Sequence, residues 1–168
     1  ELIAAKRRTA AIATKTALQL ASDELFPGES FASVTEVLAR RGIEASSELF
    51  IEYGNTDLYA PIASGSFHFD GIIVSPCSMK TLAQLSCGYA DSLLTRAFDV
   101  ALKEKRKAVV VPRETPLSSI HLENMLRLAR EGVIILPPAA AFYAKPQTVD
   151  DMINFVVGRI LQILGIEH

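Results

Sequence analysis

The chain has 168 residues, 49% hydrophobic and 21% charged, enough to bury one sizeable core and too few for two ordinary domains. Its 17 Lys and Arg against 19 Asp and Glu leave a formal net charge of -2. The cations are dispersed rather than gathered in a stripe, which argues against a nucleic-acid partner. Cys77 and Cys87 are too few for a disulfide framework and have no further Cys or His at metal-ligand spacing, so a reducing compartment, the cytoplasm, is expected.

Residues 1–8 read as the last two turns of an amphipathic helix with no cap before them. In an alternating β/α pattern such a helix follows a strand and a Gly-rich turn. A first βα unit of about 20 to 25 residues, by ordinary element lengths, is therefore expected ahead of Glu1. Lys6, Arg7 and Arg8 before an Ala-rich stretch imitate an export signal, but Lys15 interrupts the apolar part.

A first short apolar run at 10–13 predicts a strand, followed by helices at 15–23 and 33–41, the second closed by Gly42. The stretch 26–63 is less regular, with Pro27-Gly28 and Gly54-Asn55 turn signals and one strand at 49–53. Then come a strand at 71–74, helices at 80–88 and 91–105, a strand at 108–111, a helix at 119–131 closed by Gly132, and a strand at 133–136. Thr148 and Asp151 form a capping pair for a last helix to 164. Strands so uniformly apolar suit a parallel sheet covered on both faces. The expectation is a single-domain α/β fold, a doubly wound and mostly parallel sheet with helices on both faces. The apolar run 132–144 is too short to span a bilayer and is broken by Pro137 and Pro138.

Open α/β sheets bind ligands beyond the carboxyl ends of their strands. Four such loops hold unusual residues: Thr14-Lys15-Thr16, then Ser75-Pro76-Cys77-Ser78-Met79-Lys80-Thr81, then Pro112-Arg113-Glu114-Thr115-Pro116-Leu117, and Pro137-Pro138 through Phe142-Tyr143. Hydroxyls, helix-start amides and cations together suit phosphate.

Taken in order, Ala63-Ser64-Gly65-Ser66-Phe67, Ser75 through Leu82, Leu93-Leu94-Thr95-Arg96-Ala97, Arg113 through Leu117, Pro137-Pro138 with Ala141-Phe142-Tyr143, and a closing helix with Arg159 resemble the signature blocks of the UbiX-type flavin prenyltransferases. The likeness is strong from about residue 63 onward and fainter before it. It implies a metal-independent enzyme that joins dimethylallyl monophosphate to reduced FMN. The product, prenylated FMN, serves a downstream decarboxylase, and the family assembles into homo-oligomers. A related FMN-binding redox or decarboxylase flavoprotein without prenyl transfer is the alternative, and a flavin-binding subunit without activity is a third.

The resemblance also implies roles. FMN would be held by Thr14, where the family usually has serine, by Ser78, Met79, Lys80 and Thr81, and by Arg113. The allylic phosphate would be held by Tyr143 and Arg159, with Arg96, Lys103 and Glu114 nearby. Glu24 and Glu114 are candidates for moving the ring-closure proton. The family's opening glycine-serine loop has no counterpart in these residues.

Plainer readings compete. Without the resemblance, Arg96 and Arg159 would be solvated helix cations, Lys103 the basic end of a helix, and Tyr143 a core aromatic with a polar tip. Asp150 and Asp151 stand in the first turn of a helix, where acidic residues belong anyway, so a magnesium-diphosphate motif is not read there. His68, His121 and His168 have no metal spacing, and no G-x-S-x-G elbow supports a hydrolase. Cys77, at a helix start where its pKa could fall, is read as structural.

Overall fold

Every strand pairing among the described residues is parallel. The computed structural model describes residues 1–139 and 141–167. The chain divides into two units, Glu1–Ala60 with Ser92–Leu94, and Pro61–Asp91 with Thr95–His168.

In the first unit, the opening residues make one closed turn where two helical turns were expected. The Arg7 amide donates to the Leu2 carbonyl and the Lys6 amide to Ile3, both at 2.9 Å, with Lys6 at a φ of 53°. That is the Schellman way of ending a helix. Strand β1 (Thr9–Ala13) lies parallel to β2 (Phe50–Gly54), with Thr9 opposite Phe50 and Ala13 opposite Gly54. Their carboxyl ends are therefore level.

Helix α1 (Lys15–Leu25) leaves β1 directly, and α2 (Val34–Arg40) follows the irregular stretch. Its first turn is held by Glu52 of β2, whose carboxylate accepts from the Val34 amide at 2.7 Å and the Thr35 amide at 2.9 Å. Nothing in the local sequence announces that cap. Asn55, just past β2, receives the Leu93 amide on its carbonyl (2.8 Å) and the Leu94 amide on its side-chain oxygen (3.0 Å). This fixes the start of α4 (Leu93–Lys103) two residues later than periodicity suggested.

In the second unit, β3 (Gly71–Cys77), β4 (Lys107–Pro112) and β5 (Ile134–Ile135) pair in that order. The central strand β4 is buried from Ala108 through Pro112, as a strand covered on both faces should be. Val109 and Val111 meet Ile160 of α6 (Val149–Leu164), with Ile73 and Leu136 packed around them. Burying each Val is worth about 1.5–3 kcal/mol. Helix α3 (Met79–Ser86) packs against α5 (Ser119–Arg130), where Ser86 Oγ donates to Asn124 Oδ1 at 2.9 Å.

Strand β5 has two residues where four were expected. The Val133 amide is spent on the Leu128 carbonyl at 3.1 Å, closing α5 at Gly132, whose φ is 86°. The Leu136 amide still reaches Val110 at 2.9 Å.

A hydroxyl caps each of the helices that leave a site loop. Thr14 takes the Ala17 amide, Ser78 that of Thr81, Ser118 that of His121 and Thr148 that of Asp151. Each cap contributes about 1 kcal/mol. Those at Ser118 and Thr148 are reciprocal, closed by His121 and Asp151.

Candidate active site

The loops beyond β3 and β4 are tied side by side. The ladder pairs Val74 with Val110 and resumes at Cys77 and Pro112 after an irregularity, leaving Ser75 and Pro76 exposed. The Arg113 amide donates to the Cys77 carbonyl at 3.1 Å. Ser78 follows at once: its Oγ takes the Thr81 amide at 3.2 Å and lies 3.1 Å from the Thr81 hydroxyl. Met79, Lys80 and Thr81 form the first turn of α3, whose leading amides have no acceptor within the helix. Ser78, Met79, Lys80, Thr81 and the Arg113 backbone thus occupy one edge of this unit, with Arg113 exposed. Beside them Glu114 uses an oxygen to accept the Thr115 amide at 3.0 Å.

Beyond β5, a 3-10 turn at Phe142–Ala144 ends on Lys145 in the left-handed region and presents an exposed Tyr143. Ala140 lies outside the described residues. The Tyr143 ring meets Phe155 of α6 edge-on at 6.0 Å. Together with Arg159 they wall a pocket of about 360 Å³ completed by Ile135, Leu136 and Ile163. Its lining is apolar apart from the phenol and the guanidinium. Arg159 extends along α6, its Nη1 donating to Gln162 Oε1 at 2.6 Å.

Arg96 and Lys103 stand on α4 and are absent from that wall among the described residues. Arg96 Nε donates to the Ala63 carbonyl at 3.1 Å and its Nη1 to Asp99 at 2.7 Å. Lys103 pairs with Glu104, whose carboxyl it holds below the ordinary carboxylate range. The structure therefore gathers the predicted cations of this unit into groups: Arg113 by the Ser78 loop, Arg159 in the pocket, and Arg96 with Lys103 beside residues 63–65.

In the first unit, Thr14 sits at the carboxyl end of β1, its hydroxyl accepting the Ala17 amide at 3.1 Å. Glu24 is exposed in the last turn of α1.

Cys77, read as structural, is fully buried, and the helix it precedes does not lower its thiol. Burial pushes it up to about 12, which removes it from nucleophilic chemistry at neutral pH. Asp151 is occupied as a cap, accepting the Gln147 and Thr148 amides at 2.8 and 2.9 Å. Among the described residues no three His, Cys, Asp or Glu side chains group as metal ligands, and no helix is long and apolar enough to cross a membrane. His168 lies outside the described residues. Sequence reasoning missed Phe155, Asp99 and Gln162, although spacings of three and four from Arg96 and Arg159 would have found them.

The model of the family described as Flavoprotein matches residues 1–161. The chain belongs to the flavoprotein family. A flavin prenyltransferase UbiX from Methanocaldococcus jannaschii is 56% identical over 116 residues, covering 69% of this chain and 63% of the relative. The chain thus spans less than two thirds of that flavoprotein's length. A dodecameric FMN-dependent UbiX-like decarboxylase from Escherichia coli O157:H7 superposes with a TM-score of 0.82 at 48% identity, covering 96% of this chain and 81% of that one. A UbiX protein solved with FMN and dimethylallyl pyrophosphate gives 0.86 at 38% identity, covering 99% and 81%. Within the flavoprotein family the chain is of the UbiX type, with an α/β fold whose described strands form two parallel sheets, β1 with β2 and β3 with β4 and β5.

Proposed function

We propose that this flavoprotein joins dimethylallyl monophosphate to reduced FMN. The observation that supports this reading most is the pairing of Tyr143 with Arg159 on one largely apolar pocket. A cation and a phenol suit a phosphate, and the surrounding Ile, Leu and Phe side chains suit an isoprenoid carbon chain. Breaking the allylic C–O bond leaves negative charge on the departing phosphate. Arg159 and the Tyr143 hydroxyl stabilise that charge and supply the electrostatic clamp, with Arg96 and Lys103, each paired to a neighbouring carboxylate, as the further cations the resemblance assigns to the phosphate.

In the second unit, FMN would rest on Ser78 through Thr81 and on Arg113. The Ser78 hydroxyl and the first-turn amides of α3 are donors suited to an acidic ligand. Reduced FMN, as prenyl acceptor, supplies the nucleophilic ring nitrogen and the carbon at which the new ring closes. Glu24 or Glu114 takes the proton released at ring closure. A cytoplasmic homo-oligomer delivering its flavin to a decarboxylase completes the reading, supported by the dodecameric neighbour and the UbiX names of the relatives.

Steady-state kinetics of Arg159→Ala and Tyr143→Phe test it. Both raise KM for the allylic phosphate while FMN affinity stays within twofold. Unchanged KM in both variants would remove the phosphate from this pocket.

A further inference from the structure

Gly65 lies under the end of α4. A Cβ at this position would collide with Glu104 Oε1 and stand 2.6 Å from Lys103 Nζ, so the Lys103 ammonium and the carboxylate it pairs with fill the space that any side chain at residue 65 would need. The loop is fixed on both sides of that point. Upstream, Arg96 Nε donates to the Ala63 carbonyl at 3.1 Å. At the glycine itself, Arg106 Nη2 donates to the Gly65 carbonyl at 2.8 Å. The Arg106 guanidinium also stacks over the Phe69 ring at 4.1 Å, and its Nη1 is buried without a hydrogen-bond partner among the described groups. Ser64 and Ser66 close the turn with their hydroxyls 2.8 Å apart. A stacked guanidinium that also bonds a carbonyl is held in one orientation.

We propose that Arg106 is a positioning residue that, through the Gly65 carbonyl, holds the Ser64–Gly65–Ser66 loop as the seat of the Lys103 ammonium. Arg106 touches no substrate; it sets where Lys103 points. The functional consequence rests on Lys103 serving the allylic phosphate, as proposed above. Arg106→Lys keeps the charge but loses the planar fork and the stacked face, so it does not rescue.

Two readouts decide it. Site-resolved acetylation by mass spectrometry compares Lys103 with Lys105 in the same chain. In the unaltered protein Lys103 reacts several-fold more slowly. In Arg106→Ala and Gly65→Ala that gap closes while Lys145, remote in sequence, is unchanged. A gap that survives both substitutions overturns the proposal.

The kinetic readout uses the allylic phosphate with reduced FMN. Arg106→Ala and Arg106→Lys raise its KM about tenfold with kcat within twofold, and neither adds anything in a Lys103→Ala background. An equal effect with and without Lys103 overturns the positioning role. If the unaltered protein transfers no prenyl group, the proposed function fails, and acetylation alone decides the seat.

Discussion

Tyr143 and Phe155 meet at 85° between ring planes, so a residue of the loop beyond β5 takes its orientation from the second turn of α6. Such an edge-to-face pair is worth about 0.5–1.5 kcal/mol beyond its buried area. Phe155→Leu keeps apolar bulk and removes the ring. It is expected to lower stability by about 1 kcal/mol in urea unfolding and to raise KM for the allylic phosphate several-fold. A change in stability with no change in KM would mean that the phenol's orientation does not matter to binding.

Asp151 supplies a pH dependence. The Gln147 and Thr148 amides and the Thr148 hydroxyl hold its carboxyl below the ordinary range. A folded-state pKa below the unfolded one contributes stability that is present above the unfolded value and lost as pH falls through the folded one. Thermal melts of the protein and of Asp151→Asn are expected to differ by a constant amount above about pH 5, and the difference is expected to shrink only as pH falls below the ordinary Asp value of about 4 and on through the lower folded-state one. A difference independent of pH would show that the ionised carboxylate is not what caps α6.

The two cysteines are expected to separate cleanly. Cys77 is buried with its thiol raised to about 12, whereas Cys87 is exposed. At pH 8 a disulfide reagent should titrate one thiol in the folded protein and two in denaturant, with peptide mapping assigning the fast one to Cys87. Rapid labelling of Cys77 in the folded state would contradict its burial.

Gly71→Ala tests the packing at the start of β3. The added Cβ would stand 2.9 Å from the Lys107 carbonyl and 3.2 Å from Leu164 Cδ2. The first neighbour is backbone in the paired strand and cannot swing aside. Overpacking of this kind costs about 1–3 kcal/mol, which urea unfolding would register. Unchanged stability would mean that β3 and β4 separate there freely.

Much of this architecture was legible because periodicity and caps agreed. The apolar run at β4 and the Thr148–Asp151 pair each carried a local physical signature that the structure repeats. What was not legible depends on long-range partners. Glu52 capping α2 and Asn55 receiving the first amides of α4 cross about 17 to 39 positions of sequence. The shortness of β5 arose because closing α5 consumed the Val133 amide. In the site, the loop residues Ser78 and Arg113 stood out by type. Arg106 did not, because it lies among Lys103, Lys105 and Lys107 and reads as one more cation of a helix end.

The most direct measurement is the mass of the flavin after incubating the purified protein with FMN, dithionite and dimethylallyl monophosphate. The account predicts a flavin heavier by one five-carbon prenyl unit, formed at a rate that falls in Arg159→Ala. Bound FMN recovered unmodified, with the allylic phosphate intact, would contradict it and leave a redox or decarboxylase flavoprotein in its place.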